Sequence, residues 1–445
     1  MDSAADHGSP GIVRRIVGDV PRSLGAVLAG TFTLRFSTSL TGTMLIYYLA
    51  DLPAHGGEPV DPRSLGLMAA AFYAAELILA PPFGLLSDRI GHHRVMQFGP
   101  VFGMVAAVLT FLTTNLFLLG STRILEGAST AASVPSILGF IAVITSQDEL
   151  LRGRAAARFE AATVAGLGAG IVAAGLIWPV FHRWGFILNA AIYVVSFLIY
   201  RFGVPETPGD EAHVKEPHPG ARRYLEILRS SHVWLLAPTW IAVNAAIGLW
   251  TSASLFQMVK DPDPKFADQW LMGRADPPVV SLGVVLAGVV FFAGLAFWGE
   301  RFRRMRRTTI LFYGILGGGV LVVAVAAINH SADLGPLFRL LPAAVAVGGL
   351  FVLAGATPAA LGMLADLSEA FPADRGAIMG MYSVFLGLGQ IIGSLVGGVA
   401  AEWRGIDGIL VATGLALVVA LIPLGRLRTV EHLLDNPPAP QAATG

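Results

Sequence analysis

The chain contains no cysteine among its 445 residues. Disulfides, zinc sites built from thiolates and iron–sulfur clusters are therefore excluded. Charged residues are scarce as well, at 13% compared with about 25% in soluble proteins. Hydrophobic residues make up 54% of the chain, and its mean hydropathy is +0.67. This composition predicts a polytopic membrane protein whose main surroundings are the lipid bilayer.

The chain also lacks an excess of charge of either sign. Its 30 basic and 30 acidic residues give a formal net charge of zero, so we expect no nucleic-acid partner. No small-residue cleavage site follows a short apolar core in the first 24 residues, which indicates that no signal peptide is removed. The motifs H-E-x-x-H and G-x-S-x-G are missing, so an enzyme with a catalytic, cofactor or metal site is the least expected class.

Long apolar stretches dominate what is present. A helix needs about 20 mainly apolar residues to cross a hydrocarbon layer of about 30 Å. Twelve such helices are predicted, near residues 26–50, 65–87, 95–117, 120–145, 157–180, 184–203, 234–257, 279–298, 308–328, 340–364, 376–400 and 407–426. With the N-terminus inside, about 21 basic residues are cytoplasmic and about 7 external, as the positive-inside rule requires. We expect both termini to be cytoplasmic and the protein to lie in a bacterial inner membrane.

The two halves of the chain are related. Arg154 and Arg375 each precede a helix and are each followed twelve residues later by Gly-Leu-Gly, at 166–168 and 387–389. This offset of about half the chain predicts a duplication, with two pseudo-symmetric six-helix bundles as in transporters. The predicted parts are a cytoplasmic segment 1–25, a bundle 26–203, a cytoplasmic linker 204–233, a bundle 234–426 and a cytoplasmic tail 427–445.

The stretch GLLSDRIGHHR, residues 84–94, separates the second predicted helix from the third. Gly84 permits close helix contact, Asp88 offers an acceptor for a helix N-terminus or an arginine, and Gly91 permits an unusual backbone angle. Arg89 and Arg94 add positive charge on the cytoplasmic side. These features predict a tight cytoplasmic turn.

The same stretch resembles the signature loop of the major facilitator superfamily, G-x-L-[SA]-D-[RK]-x-G-[RK]-[RK]. The overall pattern is most similar to that of the twelve-helix drug:proton antiporters of this family. The resemblance implies a rocker-switch secondary transporter, in which a small molecule binds between the bundles near mid-membrane. It also implies that Gly84, Asp88, Arg89, Gly91 and Arg94 form a conformational latch, although a role for Asp88 in the turn alone remains open. We expect a monomer.

A second stretch, RILEGASTAA, resembles the R-x-x-x-G motif of proton-coupled members, with Arg123 and Gly127 in place. Glu126 shares a helix face with Arg123, so the two side chains form either a structural pair or part of a proton-coupling site. The glycine-rich stretch 166–175 resembles the antiporter motif of the fifth helix only in part. Ile171 replaces its proline, which leaves antiport, and therefore export, an open question.

Arg35 and Glu76 are predicted near the middle of the first and second helices, where unpaired charges are costly. Thr31 and Thr38 share the helix face of Arg35. We expect Arg35 to face a central cavity with these threonines, and Glu76 to carry protons there. A fixed pair between Arg35 and Glu76 is the alternative.

The second half adds uncharged polar and aromatic candidates to the cavity wall, namely Trp240, Asn244 and Gln390. A cavity that is charged on one side and apolar on the other suits an amphipathic organic molecule. The sequence therefore predicts proton-coupled export of such molecules. One alternative is an uptake or exchange carrier for an organic anion. Another is a membrane chaperone or sensor that does not transport.

Overall fold

A computed structural model describes residues 22–146, 149–206, 233–251, 253–273, 275–369 and 375–435 of the chain. Across these ranges the regular structure is entirely helical, and ten helices are long and apolar enough to cross a membrane. The expected all-α membrane fold is confirmed, whereas the count of twelve spans stays a prediction. Most of the predicted N-terminal segment, linker and tail lies outside the described residues.

The helices are named here in chain order. The N-terminal half contains α1 (Arg22–Ala50), α2 (Pro62–Ile90), α3 (His92–Met96), α4 (Phe98–Leu112), α5 (Leu116–Ile144), α6 (Glu149–Phe181) and α7 (Trp184–Gly203). The C-terminal half contains α8 (Val233–Thr251), α9 (Ala253–Val259), α10 (Pro277–Gly299), α11 (Arg307–Asn329), α12 (Pro336–Leu353), α13 (Ala356–Glu369) and α14 (Arg375–Asp435).

Several helix limits differ from the predicted spans. The predicted span 95–117 runs too far, because α4 ends at Leu112 and Asn115 caps α5 by accepting a hydrogen bond from the Leu118 amide at 3.1 Å. The helix α14 is broken at Arg404 and Gly405, where φ of the glycine is +58°. This break separates the predicted spans 376–400 and 407–426.

The first helix, α1, is absent from the ten apolar helices of the described chain. It carries Arg35 and seven serine or threonine residues between positions 31 and 43, which lower its hydropathy. Close packing nevertheless holds α1 against α6, since Gly166 and Gly170 of α6 lie against the backbone of Phe32 and Phe36. Small residues permit this approach in membrane helices.

The two halves meet through small residues near one end of the helices. Gly66 of α2 lies against Gly398 of α14, so closely that a Cβ on Gly66 would be 3.1 Å from the Cα of Gly398. The Tyr47 hydroxyl of α1 donates a hydrogen bond to the Pro277 carbonyl of α10 at 3.2 Å and lies 2.8 Å from the Ser281 hydroxyl. These contacts lie at the end that the charge distribution predicts to be external.

Candidate substrate cavity

A cavity of about 910 Å³ lies between the two halves of the protein. The N-terminal half contributes residues of α1, α2, α5 and α6 to its wall, and the C-terminal half contributes residues of α8 to α12 and α14. Its volume lies at the upper end of the range of about 300–1,000 Å³ that small-molecule sites occupy. The position and size fit a small-molecule site shared by the two halves.

The cavity wall is mainly aliphatic and aromatic. The aromatic lining residues are Phe72, Tyr73, Trp250, Trp270 and Phe291. The serine and threonine lining residues are Ser39, Thr43, Thr251, Ser254 and Thr413. Arg123 is the single charged residue among the described residues that line the cavity. Such a wall can bind an apolar body through contact area and orient it through a few polar groups.

Arg123 connects the cavity to a buried acid. Its guanidinium forms an ion pair with Glu126 on the same helix and lies over the Phe72 ring, 4.8 Å from the centroid. Glu126 is fully buried, and its Oε1 has no hydrogen-bond partner in the described part of the chain. Gly127 brings α5 against the backbone of Phe72, which places the guanidinium over that ring. The two side chains are therefore paired, and a role of this pair in proton coupling stays a prediction.

Arg35 and Glu76 take no part in lining this cavity. Both side chains are half-buried, and Arg35 attracts Glu76 electrostatically across α1 and α2. The described residues show no direct ion pair between them, so the fixed pair considered from the sequence is not seen. The Cβ of Arg35 packs against Gly166, while the backbone of Glu76 packs against Gly127.

Thr31 and Thr38 are buried away from the cavity wall. The Thr31 hydroxyl donates to the Val27 carbonyl at 2.8 Å, and the Thr38 hydroxyl donates to the Leu34 carbonyl at 3.0 Å. Each hydroxyl thus finds its acceptor on the preceding helical turn. A polar stripe of this kind requires neither water nor a ligand.

The second-half candidates lie between α8 and α14, also outside the cavity lining. Trp240 is buried and stacks on Tyr382 with ring centroids 5.2 Å apart, and Asn244 donates to the Trp240 carbonyl at 2.8 Å. Gln390 is buried beside Gly248, and its Oε1 has no hydrogen-bond partner among the described residues. These three side chains pack the interior of the C-terminal half.

Sequence reasoning missed part of the cavity wall. Trp250, which was not among the predicted candidates, lines the cavity and donates a hydrogen bond to the Thr413 hydroxyl at 2.9 Å. Ser254 lies four residues further on and also lines the cavity. An aromatic residue followed four positions later by a hydroxyl residue, about one helical turn, was the available signal for this wall.

The described contacts of the signature loop involve the N-terminal half and the start of the predicted linker. Gly91, between α2 and α3, has φ of +100°, which confirms the tight turn. Asp88 lies 3.9 Å from His92, and Arg94 pairs with Glu206 at 3.3 Å. Arg89 is exposed, and Gly84 lies near Pro135 of α5. The latch role of the five residues stays a prediction.

The sequence profile of the Major Facilitator Superfamily matches residues 27–334 and 266–444 of the chain. The chain belongs to this family. The protein is therefore a membrane transporter and not an enzyme.

Relatives with curated names share modest identity with this Major Facilitator Superfamily member. The chain is 23% identical to Multidrug resistance protein 2 of Bacillus subtilis over 340 residues, which cover 76% of this chain and 79% of the relative. It is 26% identical to the Quinolone resistance protein NorA of Staphylococcus aureus over 170 residues, which cover 38% of this chain and 41% of the relative.

Solved structures support the same fold. The nucleoside transporter NupG superposes with a TM-score of 0.73 at 13% identity, covering 91% of this chain and 99% of that chain. A variant of the peptide transporter POT superposes with a TM-score of 0.68 at 16% identity, covering 93% and 96%. At these identities the similarity establishes the fold, and the substrate must be argued from the cavity.

Proposed function

We propose that the protein exports amphipathic organic molecules in exchange for protons. The observation that carries this proposal is the large cavity between the halves, whose wall contains several aromatic residues. Among the described residues of that wall, Arg123 is the one that carries a charge. The names of the relatives, a multidrug resistance protein and a quinolone resistance protein, support export of such compounds. A monomer is proposed as the transporting unit, because both related halves that bound the cavity belong to the same sequence.

The contacts between the halves support alternating access by a rocker-switch motion. The Gly66–Gly398 contact, the Tyr47–Ser281 contact and an ion pair between Arg63 and Glu402 join the halves at the end predicted to be external. At the opposite end, the latch residue Arg94 pairs with Glu206 at the start of the predicted linker. We infer that this conformation is closed to the outside.

The Arg123–Glu126 pair gives export a coupling mechanism. While Glu126 is ionised, it neutralises Arg123, and the cavity can accept an apolar or cationic body. When Glu126 takes up a proton, Arg123 becomes an uncompensated positive charge at the cavity wall and repels a cationic substrate. Proton binding and substrate binding then oppose each other, as exchange requires. Glu76, which Arg35 attracts, is the second candidate proton carrier.

A carrier of organic anions is the second candidate function, and the positive charge of Arg123 at the cavity wall favours it. Protonation of Glu126 would free Arg123 to bind a carboxylate, so an anion and a proton would bind together. Cotransport would follow in place of exchange. The replacement of the motif proline by Ile171 in α6 fits this candidate as well.

The two candidates predict opposite dependence of binding on pH. Purified protein in proteoliposomes would be tested with a lipophilic cationic dye and with an amphipathic carboxylate under imposed pH gradients. Export predicts that the dye moves against the proton flow and binds more weakly at low pH. Accumulation of the carboxylate together with protons, with no movement of the dye, would instead support the anion carrier.

A further inference from the structure

A second pocket, of about 430 Å³, lies at the surface where the start of α4 meets the end of α7. Its basic lining residues are His93, Arg94 and Arg201, and its acidic lining residue is Glu206. This end of the helices is the one that the charge distribution predicts to be cytoplasmic. The pocket is separate from the cavity between the halves, although its Arg94 also belongs to the predicted latch.

The pocket carries an excess of positive charge. The guanidinium groups of Arg94 and Arg201 are exposed, and the Glu206 carboxylate pairs with Arg94 at 3.3 Å. His93 is buried at the base of the pocket, where its Nε2 lies 2.8 Å from the Gln97 amide nitrogen. The guanidinium of Arg201 is therefore more available for binding an anion than that of Arg94. An anion that enters the pocket would compete with Glu206 for Arg94.

Apolar helix faces continue from the pocket toward the middle of the membrane. On α4, Phe98 lines the pocket and Val105 and Leu109 follow on the same face, with exposed fractions of 38% and 42%. On α7, Phe197 lines the pocket and Val194 follows, exposed at 39%. The pocket is thus a basic recess at the end of an apolar surface formed by two packed helices.

We propose that this recess binds the phosphate headgroup of an anionic phospholipid, whose acyl chains lie along the exposed faces of α4 and α7. Guanidinium groups bind phosphate through charge-assisted hydrogen bonds. Basic pockets between membrane helices on the cytoplasmic side are suited to anionic headgroups. The adjoining apolar faces select a lipid over a soluble phosphate, because a soluble phosphate gains nothing from them.

The test uses the full-length protein and native mass spectrometry, with dioleoylphosphatidylglycerol compared with dioleoylphosphatidylcholine. Arg201→Gln should weaken binding of the anionic lipid roughly fivefold, the effect of one basic residue near an anionic membrane surface. Arg201→Lys should keep most of the binding. Glu206→Gln should strengthen binding, because it removes the competitor for Arg94. Arg154→Gln, an exposed arginine on α6 outside the pocket, is the matched control and should have no effect.

Equal retention of the two lipids, or unchanged binding of the anionic lipid in Arg201→Gln, would overturn the proposal. Full displacement of the lipid by millimolar inorganic phosphate would overturn it too, since the site would then take a soluble phosphate. If Arg201→Gln fails to fold, the gain expected for Glu206→Gln decides the question. A loss of folding alone cannot produce binding changes of opposite sign in the two variants.

Discussion

The guanidinium of Arg123 is paired with the carboxylate of Glu126 one helical turn away on α5. The arginine lies at the wall of the central cavity, whereas the glutamate is fully buried behind it. A change in the protonation of Glu126 can therefore change the charge that the cavity presents to a substrate. This relationship joins the substrate site to the proposed proton site without any intervening residue.

The Arg123–Glu126 pair predicts a specific pattern in a double-mutant cycle. Arg123→Gln leaves a buried carboxylate without its partner and should cost about 3–5 kcal/mol of stability if the acid stays charged. Glu126→Gln leaves the less buried arginine unpaired and should cost less. The double variant should recover much of the loss, because neither charge is left alone. Thermal unfolding in detergent measures these differences.

Transport distinguishes this pair from a purely structural one. Glu126→Gln should abolish transport driven by a pH gradient in proteoliposomes, and it should bind a cationic dye at neutral pH as weakly as the parent does at low pH, because glutamine leaves Arg123 uncompensated at every pH. Glu76→Gln is the comparison for the second candidate proton carrier. Transport driven by the pH gradient that persists in both variants would contradict proton coupling through these acids.

The cavity predicts that a side chain at Gly283 will limit the size of the substrate. Gly283 lines the cavity, and a Cβ at this position would have no atom within 4 Å. Gly283→Phe should therefore fold normally, with the ring occupying part of the 910 Å³ volume. We expect KM for bulky substrates to rise at least tenfold, with smaller effects on small substrates. Transport assays with a series of dyes of increasing size measure this effect.

Gly168→Phe is the matched control for the cavity. Gly168 of α6 is also free of neighbours within 4 Å of a Cβ, but it does not line the cavity. Gly168→Phe should leave the dependence of KM on substrate size unchanged. Equal loss of transport in both variants would mean that the substrate does not occupy this volume.

The sequence was sufficient to predict the helical fold and the signature turn. Both features depend on local sequence. The length of an apolar stretch indicates a membrane-spanning helix, and Gly91 adopts the positive φ of the turn. The Arg123–Glu126 pair was also predictable, because residues three apart on a helix share a face. These features depend on residues that are close in the chain.

The cavity wall could not be predicted in the same way. Thr31 and Thr38 suggested a helix face that lines a central cavity, but their hydroxyls donate hydrogen bonds to backbone carbonyls of their own helix. Trp240 and Trp250 lie on the same helix, yet only Trp250 lines the cavity, because the rotation of α8 against α14 decides which face is covered. Such rotations depend on packing between distant segments, as at Gly389, which lies against the Cβ of Asn244.

Asp61 predicts an acid-dependent loss of stability at the start of α2. Its carboxylate caps the helix by accepting hydrogen bonds of 2.8 Å from the amide and the hydroxyl of Ser64. Burial raises the pKa of the Asp61 carboxyl, but these hydrogen bonds outweigh burial and hold the pKa below its ordinary value. Because the folded pKa is depressed, the cap stabilises the protein above the ordinary pKa of about 4 and is lost as the pH falls through the lower folded value.

Asp61→Ala should destabilise the protein by about 1 kcal/mol at neutral pH, as for other helix caps. Asp61→Asn keeps an acceptor for the Ser64 amide and should lose less. Thermal unfolding from pH 7 down to pH 3 should show the gap between parent and Asp61→Ala narrowing at the acid end. A gap that stays constant over this range would show that the cap does not depend on the ionised carboxylate.

The contact between Gly66 and Gly398 predicts that one added side chain will shift the conformational equilibrium. A side chain at Gly66 would meet the Ser394 carbonyl and the Gly398 backbone, so Gly66→Val should disfavour closure of the halves at this end. Overpacking of this kind costs about 1–3 kcal/mol, which is enough to change the population ratio by roughly five- to 150-fold. We expect the conformation open at the predicted external end to gain population.

Spin labels can measure this shift directly, because the chain has no cysteine of its own. Glu58→Cys and Lys265→Cys would place one label on each half, at exposed positions of the predicted external end. Gly66→Val should move the label-to-label distance distribution toward longer values. Gly414→Val, on α14 where a Cβ meets no neighbour within 4 Å, should leave the distribution unchanged. If the two valine variants give the same distribution as the parent, then close packing at Gly66 does not hold the halves together, and the closed external end needs another cause.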